Sequence, residues 1–403
     1  IKEGNKIVVY GDYDADGVTA SAVLFETLTI LKGKADVYIP DRVSEGYGLN
    51  KEAIEEIKKE GARLIITVDN GIRSKEEVGY AKSLGIDVII TDHHLPPSNN
   101  KNKFPLLTKE GGGGGSDEEK FVTINPTQPS PYEGEWINYG LPDCLIINPV
   151  VEREKYPFKY LAGAGVAFKL AQAIIKKSKL AEEDKKNLEE KLLDLAAIGT
   201  VADCVTVLGE NRILIKKGLK VLNGQRRIGL NVLIKTAQIN NNKKLDAWNI
   251  SFQIAPRLNS AGRMEHASSA FELLITKERM EAETISRWLN EKNYERQKTT
   301  DEIVDYITER VEEDIKNEKL EYIIVAVCPE NMAWNEGVVG LVAGKISDRY
   351  CRPVIVLSRT EDGLKGSGRS IEEFNIIKAV EKCSKFLEKF GGHAQACGLS
   401  LKE

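Results

Sequence analysis

Three aspartates alternate with other residues in Gly11-Asp12-Tyr13-Asp14-Ala15-Asp16-Gly17, directly after the apolar run Ile7-Val8-Val9-Tyr10. The arrangement recurs. Leu64-Ile65-Ile66-Thr67-Val68 runs into Asp69-Asn70-Gly71, and Val88-Ile89-Ile90-Thr91 runs into Asp92-His93-His94. Short β-branched runs of this kind suit a parallel sheet covered on both faces. In open α/β sheets, ligands bind outside the carboxyl ends of the strands. The three strand ends should therefore place these carboxylates and imidazoles on one rim. Crowded carboxylates repel one another unless cations sit among them. Hard oxygen donors with imidazole suit Mg²⁺ or Mn²⁺, and shared carboxylates point to a two-metal centre.

Simpler readings are available for each piece. An Asp-x-Asp-x-Asp-Gly run also opens a calcium loop. Counted from Asp12, however, the loop's last ligand position falls on Val23 rather than Glu, and the flanks read strand then helix. Asp16 could cap the helix that follows, but capping does not call for three carboxylates. Asp69 alone would read as a strand-end turn residue. His93 and His94 could be one surface and one core histidine. The chain has 4 His in all, and two of them stand together beside Asp92, which favours a site.

Helical spacing follows the first motif from Val18 to Leu31 and recurs from Lys51 to Lys59. Strands separated by such segments imply right-handed βαβ crossovers. Regularity fails between about 96 and 145, where Gly111 to Gly115 and Ser116 read as an engineered linker or loop replacement. Order returns at Cys144-Leu145-Ile146-Ile147, with a helix start at Ala162-Gly163-Ala164-Gly165 and a helical segment from Leu188 to Gly199 leading to Asp203. Residues 277–316 contain no Pro or Gly and read as one or two charged helices bridging domains. A second α/β unit begins at Tyr322-Ile323-Ile324-Val325 and continues through Val354-Ile355-Val356. The expected division is a catalytic domain over 1–276, a helical connector over 277–318 and a smaller α/β domain over 319–403.

At 403 residues the chain is too long for one ordinary core. With 41% hydrophobic and 29% charged residues, it reads as a soluble globular protein. No run approaches a membrane span and no secretory signal precedes the first strand. The chain opens on Ile1 rather than Met, as a fragment or processed chain would. The net charge of -4 argues against a generally basic coat but leaves room for a local basic channel. The 6 cysteines form no CxxC pair, which suits a reducing cytoplasm.

Several arginines stand among small residues. Arg42 lies in Pro40-Asp41-Arg42, Arg257 and Arg263 bracket Leu258-Asn259-Ser260-Ala261-Gly262, and Arg369 lies in Ser367-Gly368-Arg369-Ser370. Guanidinium forks bind phosphate bidentately, and small neighbours let backbone N–H groups approach. An isolated arginine of this kind reads more simply as a salt-bridge partner. His393 follows Gly391-Gly392. Those glycines would admit a phosphate backbone, and Gly391 could also cap a helix running from about Phe374. No Ser–His or Cys–His nucleophile is legible, so no covalent intermediate is expected.

Together, GDYDADG (11–17), VDNG (68–71), TDHH (91–94), LAGAGVAFKLAQA (161–173), GTVAD (199–203), GENR (209–212), APRLNSAGRM (255–264), SGRS (367–370) and GGHAQACG (391–398) resemble the DHH phosphoesterase superfamily, and within it the RecJ family of single-strand 5′→3′ DNA exonucleases. The resemblance implies a parallel-sheet DHH domain and a smaller α/β DHH-associated domain joined by a long helical connector, with the active site between them. It implies that Asp14 and Asp69, helped by Asp12, hold one Mn²⁺ or Mg²⁺, and that Asp16, Asp69, His93 and Asp203 hold a second. His94 would lie near the scissile phosphate or orient a ligand, and Asp92 would steady the histidine pair. Arg42, Arg257, Ser367 and Arg369 would bind a terminal 5′ phosphate, with Arg263 and His393 also on the nucleic acid. The substrate would be single-stranded DNA with a 5′ end, in DNA repair and recombination. A single-strand-binding protein or a helicase would be a partner, and the chain would be a cytoplasmic monomer. A phosphodiesterase of short RNA or cyclic dinucleotides is the alternative enzyme. Inactive replication-complex relatives keep the fold and lose the ligands, which are all present here. The chain departs from the pattern at Tyr10, where many members carry His, and at Asn335, where RecJ proteins often carry His. Members continue into an OB-fold where this chain ends.

Overall fold

The computed structural model describes residues 1–42, 44–97, 140–151, 155–224, 227–239, 244–319 and 322–402. The Gly111–Ser116 run lies outside them, as does most of the irregular stretch around it.

The chain begins as alternating strands and helices: β1 (Lys6–Tyr10), α1 (Ala15–Ile30), β2 (Lys34–Tyr38), α2 (Lys51–Lys59), β3 (Ala62–Val68), α3 (Lys75–Ser83), β4 (Asp87–Thr91) and β5 (Leu145–Ile147). The strands pair in the order β2-β1-β3-β4-β5, all parallel. Successive residues of a strand face opposite sides. Ile7 and Val9 enter one core with α1, while Val8 and Tyr10 enter another with Ile54, Ile57, Val78 and Ala81 of α2 and α3. Both faces are therefore dry, which is why the strands read as unbroken apolar runs.

A helical block follows: α4 (Gly163–Lys177), α5 (Glu182–Ala202), α6 (Gly209–Asn223), α7 (Ile228–Thr236), the single turn α8 (Ala247–Asn249), a π-helical stretch (Ile250–Ile254), α9 (Ala255–Met264) and α10 (Ser268–Ile275). Helices α4 and α5 pack on α1, which is buried along most of its length. One helix, α11 (Arg279–Lys316), then runs for 38 residues, or about 57 Å at the usual rise. Its first half packs Ala282 and Leu289 into the first core, and its second half packs Ile303, Val304, Ile307 and Val311 into another. That second core is shared with β6 (Ile324–Val327), α12 (Val339–Tyr350) and β7 (Val354–Thr360); β8 (Gly363–Arg369), α13 (Ile376–Lys382), β9 (Lys389–His393) and β10 (Ala396–Leu401) complete the unit, with a smaller cluster of Ile376, Val380 and Cys397. Its sheet order is β6-β7-β8-β10-β9, with β6 parallel to β7 and the remaining pairs antiparallel. Gly391 lies inside β9 and caps no helix; α13 has already ended at Lys382. Among the described residues, no helix is long and apolar enough to cross a membrane.

Candidate metal centre and phosphate pocket

The carboxyl ends of β1, β3 and β4 converge with the last residue of α5 and the first turn of α4. Asp14 caps α1, accepting from the N–H groups of Asp16 and Gly17. The cap is thus Asp14 and not Asp16. Asp16 instead accepts from Gly163 N at 2.6 Å and Ala164 N at 2.9 Å, two unpaired donors at the start of α4. Two glycines make this approach possible. A Cβ on Gly163 would stand 2.6 Å from Asp69 Oδ1, and one on Gly199 would stand 2.4 Å from Asp16 Oδ1.

Asp69 has φ 63, a left-handed conformation that a non-glycine residue adopts at a cost of order 1–3 kcal/mol. It turns the carboxylate back over the rim. Asp69 Oδ1 then lies 3.0 Å from His93 Nε2, and Asp203 Oδ2 lies 3.6 Å from the same nitrogen. Asp69 Oδ1 and His93 Nε2 are both buried and neither is hydrogen-bonded. Burial, reinforced by the neighbouring His94, pushes the His93 imidazole down to about 4, so it is neutral and a good ligand. Three groups each bring their ligand atoms within 4.8 Å of one another: Asp69 with His93 and His94, Asp16 with His93 and Asp203, and Asp12 with Asp14 and Asp69. Burial and mutual repulsion raise Asp12 and Asp69 well above the carboxylate range, Asp16 to about 7 and Asp203 to about 9. Two orphaned buried lone pairs facing one point, inside a ring of repelling carboxylates, fit divalent cations shared between O and N donors.

Asp92 serves the rim differently. Its Oδ1 accepts from the backbone of His93 and His94 and meets His94 Nδ1 at 2.7 Å, while Oδ2 accepts from Ile72 N. Its carboxylate is fully engaged in holding the histidine turn. The Tyr47 hydroxyl donates to the Asp69 carbonyl oxygen at 3.0 Å and lies 3.2 Å from His94 Nδ1, a contact with the rim that sequence reasoning missed.

Beyond Asp12 and Asp14 the charge reverses. Arg42 stacks over the Tyr13 ring at 5.0 Å and lies close enough to Asp12 to favour its ionised form. Burial, together with the nearby charges of Arg42, Arg296 and Arg369, lowers Arg263 to about 9. Arg257 spends Nε on Asn290 and Nη1 on the Gln253 carbonyl, and Arg296 is close enough to repel it. Arg369 and Ser367 share one face of β8, with Nη1 of the arginine 3.3 Å from the serine Oγ. Burial and the Arg369 charge lower the His393 imidazole, which places that ring in the same neighbourhood. Among the described residues, none of these five arginines has an ion pair. A cluster of unpaired guanidinium groups is an anion site.

The comparisons with known proteins agree with this geometry. Residues 6–114 match the DHH family, N-terminal domain, and residues 320–403 match the DHHA1 domain. The chain carries a DHH domain and a DHHA1 domain. It is 40% identical over 405 aligned residues to the single-stranded-DNA-specific exonuclease RecJ of Bacillus subtilis, an alignment that covers all of this chain and 44% of that protein. A crystal structure of exonuclease RecJ bound to manganese superposes with TM-score 0.77 at 28% identity, covering 100% of this chain and 87% of that one. RecJ of Thermus thermophilus in complex with Mn²⁺ gives 0.76 at 27% identity, covering 100% of this chain and 50% of that one. The chain thus spans about half the length of the Bacillus subtilis protein.

The rim brings together Asp12, Asp14, Asp16, Asp69, His93, His94 and Asp203. The DHHA1 domain adds Ser367, Arg369 and His393 to Arg42, Arg257, Arg263 and Arg296. Sequence reasoning missed Arg296, which sits on α11 among charged residues that read as a solvated face. Its Nε is nevertheless buried without a partner. Asn335 Oδ1 accepts from Gly337 N at 2.7 Å, so this side chain shapes its own turn. Tyr10 is buried, stacked on Tyr38, and donates to the Gly48 carbonyl oxygen.

Proposed function

We propose that this chain is the catalytic core of a metal-dependent exonuclease that hydrolyses single-stranded DNA from its 5′ end. The observation that carries the reading is the pair of orphaned atoms, Asp69 Oδ1 and His93 Nε2, set within three overlapping ligand groups next to an arginine pocket. Asp12, Asp14 and Asp69 would hold one Mn²⁺ or Mg²⁺, and Asp16, Asp69, His93 and Asp203 the other. Bound divalent cations supply Lewis-acid chemistry for attack on a phosphodiester. The remaining groups position the substrate. Asp92 fixes the His94 ring beside the metal ligands. Arg42, Arg257, Arg263, Ser367 and Arg369 bind a terminal 5′ phosphate, and His393 approaches the strand from the DHHA1 side. A flexible single strand can enter a site walled by two domains, whereas a stiff duplex cannot. We place the enzyme in the cytoplasm as a monomer working on DNA exposed during repair and recombination, where a single-strand-binding protein or helicase would present its substrate.

The test is to digest end-labelled single-stranded DNA, blunt duplex and a short RNA with Mn²⁺ or with EDTA, and to map the products. Release of 5′ mononucleotides from single strands only, abolished by EDTA, is the expected result. Release from the 3′ end, or equal digestion of duplex, overturns the reading. Preferential cleavage of the RNA points to the short-RNA phosphodiesterase instead.

A further inference from the structure

A groove of about 620 Å³ opens beside His93 and His94, and none of the five arginines lines it. Arg42 and Arg263 act on Asp12 and Asp14. Asp69 joins those carboxylates to His93 and His94. Asp92, His93 and His94 line the groove, and so does His393, which stands near Arg369. Its walls come from both domains, with Tyr47, Arg73 and Leu95 on the DHH side and Gly392 and His393 on the DHHA1 side. The volume lies within the 300–1,000 Å³ typical of sites for compact ligands.

The lining suits a nucleotide. Tyr47 and Leu95 are 50% and 69% exposed, an aromatic and an aliphatic surface left open to solvent. Arg73 is exposed and, among the described residues, its guanidinium makes one hydrogen bond, from Nε to the Leu95 carbonyl oxygen at 3.3 Å. Both Nη groups are left over. Glu77 also lines the groove, yet no ion pair joins it to Arg73 among the described residues. Arg73 belongs to none of the motifs that mark the family resemblance.

We infer that this groove holds the nucleotides on the 3′ side of the scissile bond, with Arg73 on a backbone phosphate and Tyr47 and Leu95 against a sugar or base. The inference rests on the functional reading above, which puts the 5′ phosphate on the arginines. A strand anchored there must cross the metal ligands, and the groove lined by His93 and His94 is open to its continuation.

The test compares the parent chain with Arg73→Ala and Arg73→Glu on 5′-phosphorylated dT₂, dT₃ and dT₁₂ in Mn²⁺. In parallel, the anisotropy of 3′-labelled dT₁₂ is measured in EDTA over a salt series. For Arg73→Ala on dT₁₂, KM should rise about fivefold with kcat unchanged, the scale of one exposed charge contact, and should rise further for Arg73→Glu. KM on dT₂ should not move. The slope of log affinity against log salt should shrink by about 0.7, one phosphate contact on a single strand. An unchanged KM on dT₁₂ in both variants, or an equal loss on dT₂, overturns the groove assignment while leaving 5′-end degradation by the parent intact. Absence of 5′-end degradation by the parent chain sinks the functional reading itself, and the groove assignment with it.

Discussion

Arg263 donates from Nη1 to the Gly337 carbonyl oxygen at 2.8 Å, and a Cβ on Gly337 would stand 2.4 Å from the Arg263 carbonyl oxygen. The end of α9 thus touches the turn that precedes α12 in the DHHA1 domain, backbone against backbone. The contact sets how far Ser367 and Arg369 stand from the metal ligands. Gly337→Ala should force the two backbones apart. Misplacing reacting groups by about 1 Å costs on the order of 100-fold in rate, so kcat/KM on single-stranded DNA should fall by about that factor. Mn²⁺ binding, measured by calorimetry, should stay near the parent value because every metal ligand precedes the junction. Full activity in this variant would show that the junction does not position the pocket.

The metal-free protein should lose stability as pH rises. Asp16 and Asp203 have folded values of about 7 and about 9 against an ordinary carboxylate value of 3.8, chiefly through burial and then through Asp14 and Asp16. A raised carboxyl binds more protons folded than unfolded between those limits. Its contribution is therefore fully present below about pH 4 and disappears as pH climbs through 7 to 9. Urea melts in EDTA should give a lower midpoint at pH 8.5 than at pH 6. Mn²⁺ should reverse the order, adding about 2.7 kcal/mol at 100 times its dissociation constant. Asp69→Asn should stabilise the metal-free protein at pH 8.5 and abolish the Mn²⁺ effect. A flat pH dependence in EDTA would remove the repulsion argument.

The rim was legible because its parts are local. A buried strand announces itself by β-branched runs, and the residues at its carboxyl end follow directly in sequence. Asp14, Asp69 and His93 could thus be placed together without knowing the packing. Asp203 was less direct, since it depends on α5 arriving from some 100 residues downstream, and the family motif supplied it. What stayed hidden was tertiary. Nothing near Arg296 distinguishes it from the other charged residues of α11. Gly391 looked like a helix cap because Gly-Gly ends helices as readily as it enters a strand, and only the pairing of β9 with β10 decides between them. That Asp14 rather than Asp16 caps α1 stayed hidden for a related reason. Which of them caps α1 depends on where α4 brings its free N–H groups.

Away from the site, Arg227 should hold the helical block together. It donates to Glu26 of α1, to Asp194 of α5 and to the Leu274 carbonyl oxygen of α10, and all three side chains are nearly buried. Removing one member strands the remaining charges. Arg227→Ala should therefore cost about 3–5 kcal/mol by denaturant unfolding. Burial opposes ionisation of Glu26, but Arg227 and Lys191 outweigh it and hold the carboxyl below its ordinary 4.5. A depressed carboxyl contributes stability that is present above pH 4.5 and is lost as pH falls through the folded value. The acid limb of the parent's stability curve should flatten in Glu26→Gln. A loss under 1 kcal/mol in Arg227→Ala would show that the network is not holding these helices.

Arg369 and Arg296 separate a phosphate pocket from a structural cluster. Burial lowers both guanidinium groups, and neither has an ion pair among the described residues. Both act on Arg263, and like charges gathered around it cost free energy unless an anion joins them, so a 5′ phosphate should bind among them. A charge-assisted hydrogen bond is worth about 1.5–3 kcal/mol, roughly 10- to 150-fold in kcat/KM. The parent chain should prefer 5′-phosphorylated over 5′-hydroxyl strands. Arg369→Ala should lose most of that preference while its rate on 5′-hydroxyl strands changes little. Arg296→Ala should lose part of it and also gain thermal stability in phosphate-free buffer, because a repelling charge has gone. The measurement is the ratio of kcat/KM for the two strand ends in each variant. A ratio unchanged in Arg369→Ala would mean that these arginines only neutralise one face of the site, and that the 5′ end is held elsewhere.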